Sequence, residues 1–476
     1  MNKFGQRLRG VLRTEQQGGR HLWHVWQGNH HEDSGKFSAN EPEAGPSVPD
    51  DTRVLRVLDL AMRVGEVLLS SGEGVAETTR IMLRVADAGG LPTCEVDITF
   101  TSITMCCHRG MMAAPVTTMR LVRYRSLDLT RLREVSRLVD RIEEGRIELA
   151  AATTELDRIT TAPHPYPRWL ATLAWAGMAG SVAALLGAGW VAALVAFAAT
   201  GLIDRIGRVL NRYGLPIFFQ QVSGALLATG VTAALIYFRL LPAGTLPSLV
   251  VAAALTVLLS GLSVVGSVRD AIDGFFLTAM GRSGEIVMYS AGLLAGVVIA
   301  LKGALVFGVE LAVAGPLPST SASMVARGLA AAATAGLFAL AGYSPVRYLP
   351  AAAGTGLIGW VIYTLLYSAT VGPVVATGIA AIALGLVSGL LHRWTGVPHL
   401  VITLAAICPL LPGLTAYRGF YQLAVTGVAD GLVTVLVALA VGLALAGGVA
   451  LGEWFIERVW PVRSIEITAP MVPSEQ

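Results

Sequence analysis

From Arg53 onward, Val54, Val57, Leu58, Ala61, Val64, Gly65 and Leu68 recur at the 3.6-residue period of an amphipathic helix, and Ser70-Ser71-Gly72 breaks it. A second helical stretch runs from about Val75 to Ala88 and stops at Gly89-Gly90, a C-terminal glycine signal. Val96, Ile98 and Phe100 then alternate with Glu95, Asp97, Thr99 and Thr101, the period of a half-buried strand. The phase slips at Ile103 and Met105, which implies a bulge or turn near Thr101-Ser102. A second strand over 115–124 and a helix carrying Leu132, Val135, Leu138, Val139 and Ile142 follow. Together they predict a small soluble α/β or α+β domain over residues 51–167, closed by Pro163-His-Pro-Tyr-Pro167. Ahead of it, residues 1–50 lack periodicity and end in a Pro/Gly/Ser stretch, the pattern of a disordered tail.

Beyond Pro167 the pattern changes in kind. Residues 169–203 carry no charge, and as one helix they would be about 52 Å long against a hydrocarbon core of about 30 Å. They therefore predict a hairpin of two spans turning at Gly187-Ala-Gly189. By the same reasoning spans fall near 215–238, 246–266, 284–302, 325–342, 347–367, 371–391, 398–416 and 430–452. The expectation is a mostly α, polytopic membrane protein of about ten transmembrane helices behind the soluble domain, with a C-terminal tail over 461–476.

Composition agrees, since 54% of the residues are hydrophobic and 14% charged, against roughly 25% charged in a soluble domain. Charge is crowded into residues 1–168. The net charge of +3 is small and the basic residues are scattered, which excludes a nucleic-acid groove. No apolar run of secretory-signal length follows Lys3, Arg7, Arg9, Arg13 and Arg20, so the start of the chain is expected in the cytoplasm. With the N-terminus inside, Arg205, Arg208, Arg212, Arg269, Arg282, Arg347, Arg393, Arg458 and Arg463 fall on the cytoplasmic side. Arg239, Arg418, Lys302 and Arg327 fall on the outer one. That asymmetry predicts an inner-membrane protein with both termini cytoplasmic.

An internal repeat gives the membrane half its architecture. Pro247-Ser-Leu-Val250 leads to Ser260-Gly-Leu-Ser263, and Pro398-His-Leu-Val401 leads to Pro412-Gly-Leu-Thr415 at almost equal separation. The match links the fourth span to the ninth. Five spans apart means opposite orientation, so two inverted five-helix repeats are expected over 168–308 and 309–460. Each glycine-containing tract is positioned to interrupt its helix and free backbone groups for water, ions or substrate.

Polar residues around those tracts are the candidates for a substrate and ion pathway: Gly261, Ser263, Arg269, Asp270 and Asp273 in the first repeat, and Pro412, Gly413, Thr415, Tyr417 and Arg418 in the second. A carboxylate such as Asp270 or Asp273 carries a proton where burial disfavours its charge, and Arg418 can hold a substrate carboxylate. The competing reading makes Arg269 and Asp270 an ordinary solvated loop. Lys302, Glu310 and Arg327, near span ends, read as snorkelling residues.

Cys94, Cys106, Cys107 and Cys408 fit neither a metal spacing nor a disulfide framework, and Cys106-Cys107 reads as buried thiols at a strand end in preference to a redox-active pair. His21, His24, His30 and His31 sit among Gly, Gln, Asn and Ser, a composition of disorder more than of a metal tract. His108 beside Cys106-Cys107 lacks a nucleophile turn or an oxyanion-hole tract, so no catalytic constellation, metal site or cofactor is expected.

Several tracts resemble, in order and spacing, the actinobacterial type of the threonine/serine exporter family over about residues 50–460. They are Leu68-Leu-Ser-Ser-Gly72, Glu77-Thr78, Val96-Asp-Ile-Thr99, Leu132-Arg-Glu-Val135 with Arg137-Leu138, Gly214-Leu-Pro216 with Phe218-Phe-Gln220, Pro409-Leu-Leu-Pro-Gly-Leu414, Tyr417-Arg-Gly419 and Gly452-Glu-Trp454. The resemblance implies ten spans and export of L-threonine and L-serine driven by the proton motive force. The chain departs from the broader family at Gly72-Glu73-Gly74, where Gly-Ala-Glu is common. The expected partners are L-threonine, L-serine, protons and the lipid bilayer, with homo-oligomerisation open. A membrane-anchored hydrolase and a passive channel are the alternatives.

Overall fold

The apolar stripe that begins at Val54 lies on helix α1 (Asp51–Ser70), which buries Val54, Val57, Leu58, Ala61, Val64 and Leu68. Helix α2 (Val75–Ala88) packs across it so closely that a methyl at Gly65 would stand 3.1 Å from Met82 Cγ. The phase slip is a hairpin turn: β1 (Cys94–Thr99) pairs antiparallel with β2 (Ser102–Cys107) through Thr99 opposite Ser102. The strand expected over 115–124 is β3 (Val116–Leu121), and the sheet has the order β1-β2-β3. Helix α3 (Leu129–Glu143) is capped by Asp128, whose carboxylate accepts from the Arg131 N–H at 3.0 Å, and α4 (Leu149–Thr161) completes the domain.

The computed structural model describes residues 51–109, 114–122, 127–242, 245–259, 261–311, 321–369, 371–395, 399–425 and 427–459. Of the two units, Met1–Val48 and Pro49–Gln476, the first lies outside the described residues with the predicted tail, and so does the tail over 461–476.

The first set of membrane-half helices is α5 (Arg168–Leu185), α6 (Trp190–Arg212), α7 (Ile217–Tyr237), α8 (Pro247–Leu258), α9 (Gly261–Ile272) and α10 (Phe276–Val306). The second is α11 (Ser321–Ala341), α12 (Leu349–Ser368), α13 (Pro373–Thr395), α14 (His399–Ile407) with the 3-10 turn Cys408–Leu410, α15 (Gly413–Val425) and α16 (Val428–Val459). Packing in one set recurs in the other. Helix α5 packs on α6, α6 on α7, α7 on α10 and α9 on α10; likewise α11 packs on α12, α12 on α13, α13 on α16 and α15 on α16. Glycines bring the long pairs together. A methyl at Gly296 would lie 2.8 Å from Ala225 Cβ on α7, and one at Gly448 would lie 2.7 Å from Ala381 Cβ on α13.

Among the described residues seven helices are long and apolar enough to cross a membrane, or nine if α8 with α9 and α14 with α15 each count as one bent span. The count of ten expected from the sequence includes α5, which is not among the seven: its 18 residues start at Arg168 and are rich in the small residues that pack on α6 and α11. The span expected over 284–302 runs in fact over Phe276–Val306, because Arg282 and Glu285 are taken into the helix. At 1.5 Å per residue it is about 46 Å long, longer than the hydrocarbon core of about 30 Å.

Candidate functional site

Both bent helices break in the same way. Leu259 (φ −63°, ψ 131°) and Leu411 (φ −63°, ψ 136°) are each an extended residue after a helical stretch, and each is followed two positions later by the glycine, Gly261 or Gly413, that starts the next half-helix. At the second break Pro412 lacks an N–H and disfavours helical geometry at Leu411 before it. The halves bend by 49° at the first break and 48° at the second.

The breaks meet each other. Gly413 lies against the last turn of α8, where a methyl would stand 2.9 Å from Thr256 Cβ and closer still to Thr256 Oγ1. The Thr256 hydroxyl donates to the Ala252 carbonyl at 2.8 Å. One turn along α15, Tyr417 is fully buried with Val251, Ala252, Leu255, Leu293 and Val297, and its hydroxyl has no hydrogen-bond partner among the described residues. Leaving such a group unpaired costs about 1–3 kcal/mol, which a polar ligand group can recover.

At the far end of α9 the segment that carries the three-stranded sheet docks. Asp270 is 0% exposed, accepts the Val75 N–H at 3.0 Å through Oδ1, and faces Arg282 Nη1 at 2.9 Å through Oδ2. Val75 is the first residue of α2, so the positive end of that helix points at the carboxylate. Gly266 leaves room for the guanidinium, since a methyl there would stand 2.7 Å from Arg282 Nη1. Arg269, next in the chain, pairs with Glu453 Oε2 at 3.1 Å, and Glu453 Oε1 accepts from the Thr403 hydroxyl at 2.9 Å. Thr403 Oγ1 lies 2.9 Å from Ser388 Oγ, so the polar chain runs from α9 through α16 to α14 and α13.

Further contacts seat that segment at two other places. On α10 the Thr278 hydroxyl donates to the Ile98 carbonyl at 3.1 Å. At the connection between α11 and α12, the Leu129 N–H donates to the Gly342 carbonyl at 2.9 Å and the Tyr166 hydroxyl to the Ser344 carbonyl at 3.2 Å. There the His164 ring stacks on Tyr343 at 4.3 Å while its Nδ1 lies 2.8 Å from Asp128 Oδ2.

The sequence profile of the threonine/serine exporter family matches residues 59–303, and a second profile of threonine/serine exporters matches residues 324–455. The chain belongs to the threonine/serine exporter family. A Mycobacterium tuberculosis protein named "Probable threonine/serine exporter" is similar, 40% identical over 412 residues that cover 85% of this chain and 77% of its own. A Corynebacterium glutamicum "Threonine/serine exporter" is 36% identical over 426 residues, 88% of this chain and 86% of its own. No solved structure matches. The profiles divide the chain between α10 and α11, where the two helix sets meet. This family member is a multi-pass membrane protein, its apolar helices following a small three-stranded domain.

The predicted residues fall into two groups. Gly261, Ser263, Pro412, Gly413, Thr415 and Tyr417 lie at or just after the breaks, and Thr415 and Ser263 are half-buried. Arg269 and Asp270 belong to the docking cluster. The reading of Asp270 as a solvated loop residue is overturned, because it sits within α9 with no exposed surface; Asp273, past the helix end, is exposed. Arg418 is half-buried on α15, and the cation that meets Asp270 is Arg282, not Arg418. Lys302 and Glu310 are exposed, and Arg327 is half-buried. Sequence reasoning missed Arg282, Thr403 and Glu453. A buried charge within a long apolar helix was the available signal for Arg282 and Glu453.

Cys94 stands opposite Cys107 in the β1–β2 register, and burial together with that thiol pushes the Cys94 thiol up to about 12. His108 lies on the exposed side, its Nε2 4.0 Å from Glu95 Oε1.

Proposed function

We propose that this protein exports threonine and serine from the cytoplasm, driven by the proton motive force, through a path between the two broken helices of two inverted five-helix repeats. The crossing of Gly413 over Thr256 is the observation that carries the reading. A zwitterion crosses hydrocarbon poorly, so a carrier needs polar groups at membrane depth, and interrupted helices supply backbone N–H and C=O groups there. The buried Tyr417 hydroxyl adds a side-chain group at the same place. Recurrence of the helix pairs in both sets, with bends of 49° and 48° at equal positions, supports the repeat, and with α5 taken as a fifth span each set would cross an odd number of times, which inverts the second against the first.

Orientation rests on the docking face. The soluble domain sits on the ends of α9 and α10 that carry Arg269 and Arg282 and on the α11–α12 connection that carries Arg347, and these are the arginines that the positive-inside asymmetry assigns to the cytoplasm. Substrate then enters from the side the domain covers. Within the path Asp270 belongs to the ion-coupling machinery, and Arg418 faces the substrate from the second repeat.

The test loads cells with a threonine-containing dipeptide and follows threonine efflux with and without an uncoupler. Efflux that requires the protein and slows with the uncoupler is expected. Equal efflux in both conditions would favour a channel, and efflux independent of the protein would remove the transport reading.

A further inference from the structure

A second charged junction lies where α3 meets the connection between α11 and α12. The first turn of α3 grips that connection, the Leu129 N–H donating to the Gly342 carbonyl and the Thr130 hydroxyl to the Tyr343 carbonyl. One turn further along α3, the Arg133 guanidinium carbon lies 5.3 Å from the centre of the buried Tyr348 ring, and that of Arg347 lies 4.8 Å from it. Arg133 is 6% exposed, although arginine is almost never buried without a partner. Its carboxylate neighbour is Glu134, next in the chain, at 3.4 Å, and Glu134 is shared with Arg137 at 4.0 Å. Among the described residues no other carboxylate comes within 4.0 Å of Arg133, Arg137 or Arg347, and Arg133 Nε is buried without an acceptor. Burial pulls the Arg133 guanidinium below its ordinary value, and Arg137 and Arg347 pull the same way. Arginine does not shed its proton in a protein, so the charge calls for an anion.

We propose that Arg133, Arg137 and Arg347 bind a phosphate group, that of an anionic phospholipid headgroup. The site stands at the level of the headgroups. Val346–Ser368 is long and apolar enough to cross the membrane, so Arg347 and Tyr348 lie where that helix enters it. The bond from the Tyr166 hydroxyl to the Ser344 carbonyl brings the start of α5 to the same connection. Three residues on from Tyr166, Trp169 is 55% exposed, the placing of an aromatic anchor in the headgroup layer. Guanidinium forks present paired N–H donors that match two phosphate oxygens, and basic pockets at the membrane surface hold anionic headgroups. Three guanidiniums face one carboxylate here, so a zwitterion with no net charge, whether an amino acid or phosphatidylcholine, leaves the excess unanswered. A headgroup held there ties α3 to the start of α12 through lipid as well as through protein.

The test mixes the full-length protein in detergent with equal amounts of phosphatidylglycerol and phosphatidylcholine and reads retained lipid by native mass spectrometry, with inorganic phosphate added in a parallel series. The wild type is expected to retain phosphatidylglycerol in clear preference. Arg347→Gln should lower that preference about fivefold, the effect of one arginine at an anionic surface, and Arg133→Gln at least as much, because a buried charge is screened less. Arg80→Gln, on α2, leaves it unchanged. Inorganic phosphate at the concentration of the lipid should not displace phosphatidylglycerol, since a free ion lacks the apolar contact of the acyl chains; displacement would make free phosphate the ligand and overturn the lipid assignment. Equal retention of the two lipids by the wild type overturns the proposal, and so does a preference unchanged in Arg133→Gln and Arg347→Gln. Should Arg133→Gln fail to fold, Arg347→Gln, at an exposed position, decides alone.

Discussion

Gly413→Ala tests the crossing of the broken helices. Gly413 has an ordinary helical φ, so alanine fits the backbone, and replacing glycine at such a site normally stabilises by about 0.4–1 kcal/mol. Here the added methyl would lie 2.9 Å from Thr256 Cβ, closer to Thr256 Oγ1, and 3.3 Å from the Ala252 carbonyl. Two of these atoms belong to a buried side chain held by its bond to Ala252, and one is backbone, so little can yield. Overpacking of this kind costs about 1–3 kcal/mol, which exceeds the propensity gain and reverses the sign. Thr256→Ala alone loses a hydroxyl bonded within its own helix and should cost about 1 kcal/mol. It also removes the nearest obstructing atom, so the double variant should be more stable than the sum of the single effects by at least about 1 kcal/mol. Relief stays incomplete, because Cβ and the carbonyl remain. Denaturation of the purified protein in detergent, with threonine counterflow alongside, measures the cycle. A Gly413→Ala protein as stable as wild type, or single effects that add within about 0.5 kcal/mol, would show that the half-helices do not touch there.

Asp270→Asn should lower gradient-driven accumulation at least tenfold, at normal membrane levels, because the amide cannot carry the proton; uphill export at the wild-type rate would remove Asp270 from the coupling machinery. Arg418→Lys should raise the threonine concentration giving half-maximal export several-fold, since a point charge replaces a bidentate fork, and an unchanged value would place Arg418 away from the path. Cys94, with its thiol pushed up to about 12, should react with iodoacetamide at pH 8 roughly a thousandfold more slowly than a thiol near 9.0, because only the thiolate attacks. Mass-spectrometric rates for Cys94 in the folded and the urea-unfolded protein check this, and equal rates in both would refute it.

Much of the fold was legible because lipid enforces a simple rule. A chain in hydrocarbon must satisfy its backbone within each helix, so apolar runs mark helices directly, and nearly every expected span has a helical counterpart. The breaks were legible for a related reason: Gly and Pro at Ser260–Ser263 and Pro412–Thr415 are the residues that interrupt such helices. What the pattern misjudged were the ends. Arg282 and Glu285 look like loop residues to a hydropathy reading, yet they lie inside α10, because Asp270 on the neighbouring helix answers the charge of Arg282. In the soluble domain the phase slip announced a turn, although alternation alone could not tell a bulge from the hairpin that makes three strands.

The candidate site divides along the same line. Residues that act by breaking a helix are visible at their own position, since the cause is local. Residues that act by charge compensation are not, because the cluster draws Arg269 and Asp270 from α9, Arg282 from α10 and Glu453 from α16, and no spacing rule spans that distance. Asp270 read as ambiguous for this reason: beside Arg269 in sequence it resembles a solvated pair, whereas in space each takes its partner from another element. The expectation that Asp270 and Arg418 face one pathway from the two repeats carries no contact between them. Crossing of α8 and α15 brings Thr256 against Gly413 and leaves Asp270 at the covered end of its half-helix, under the first turn of α2. The helix break at Gly261 and the charge pairs of Arg269 and Asp270 thus stand at opposite ends of α9.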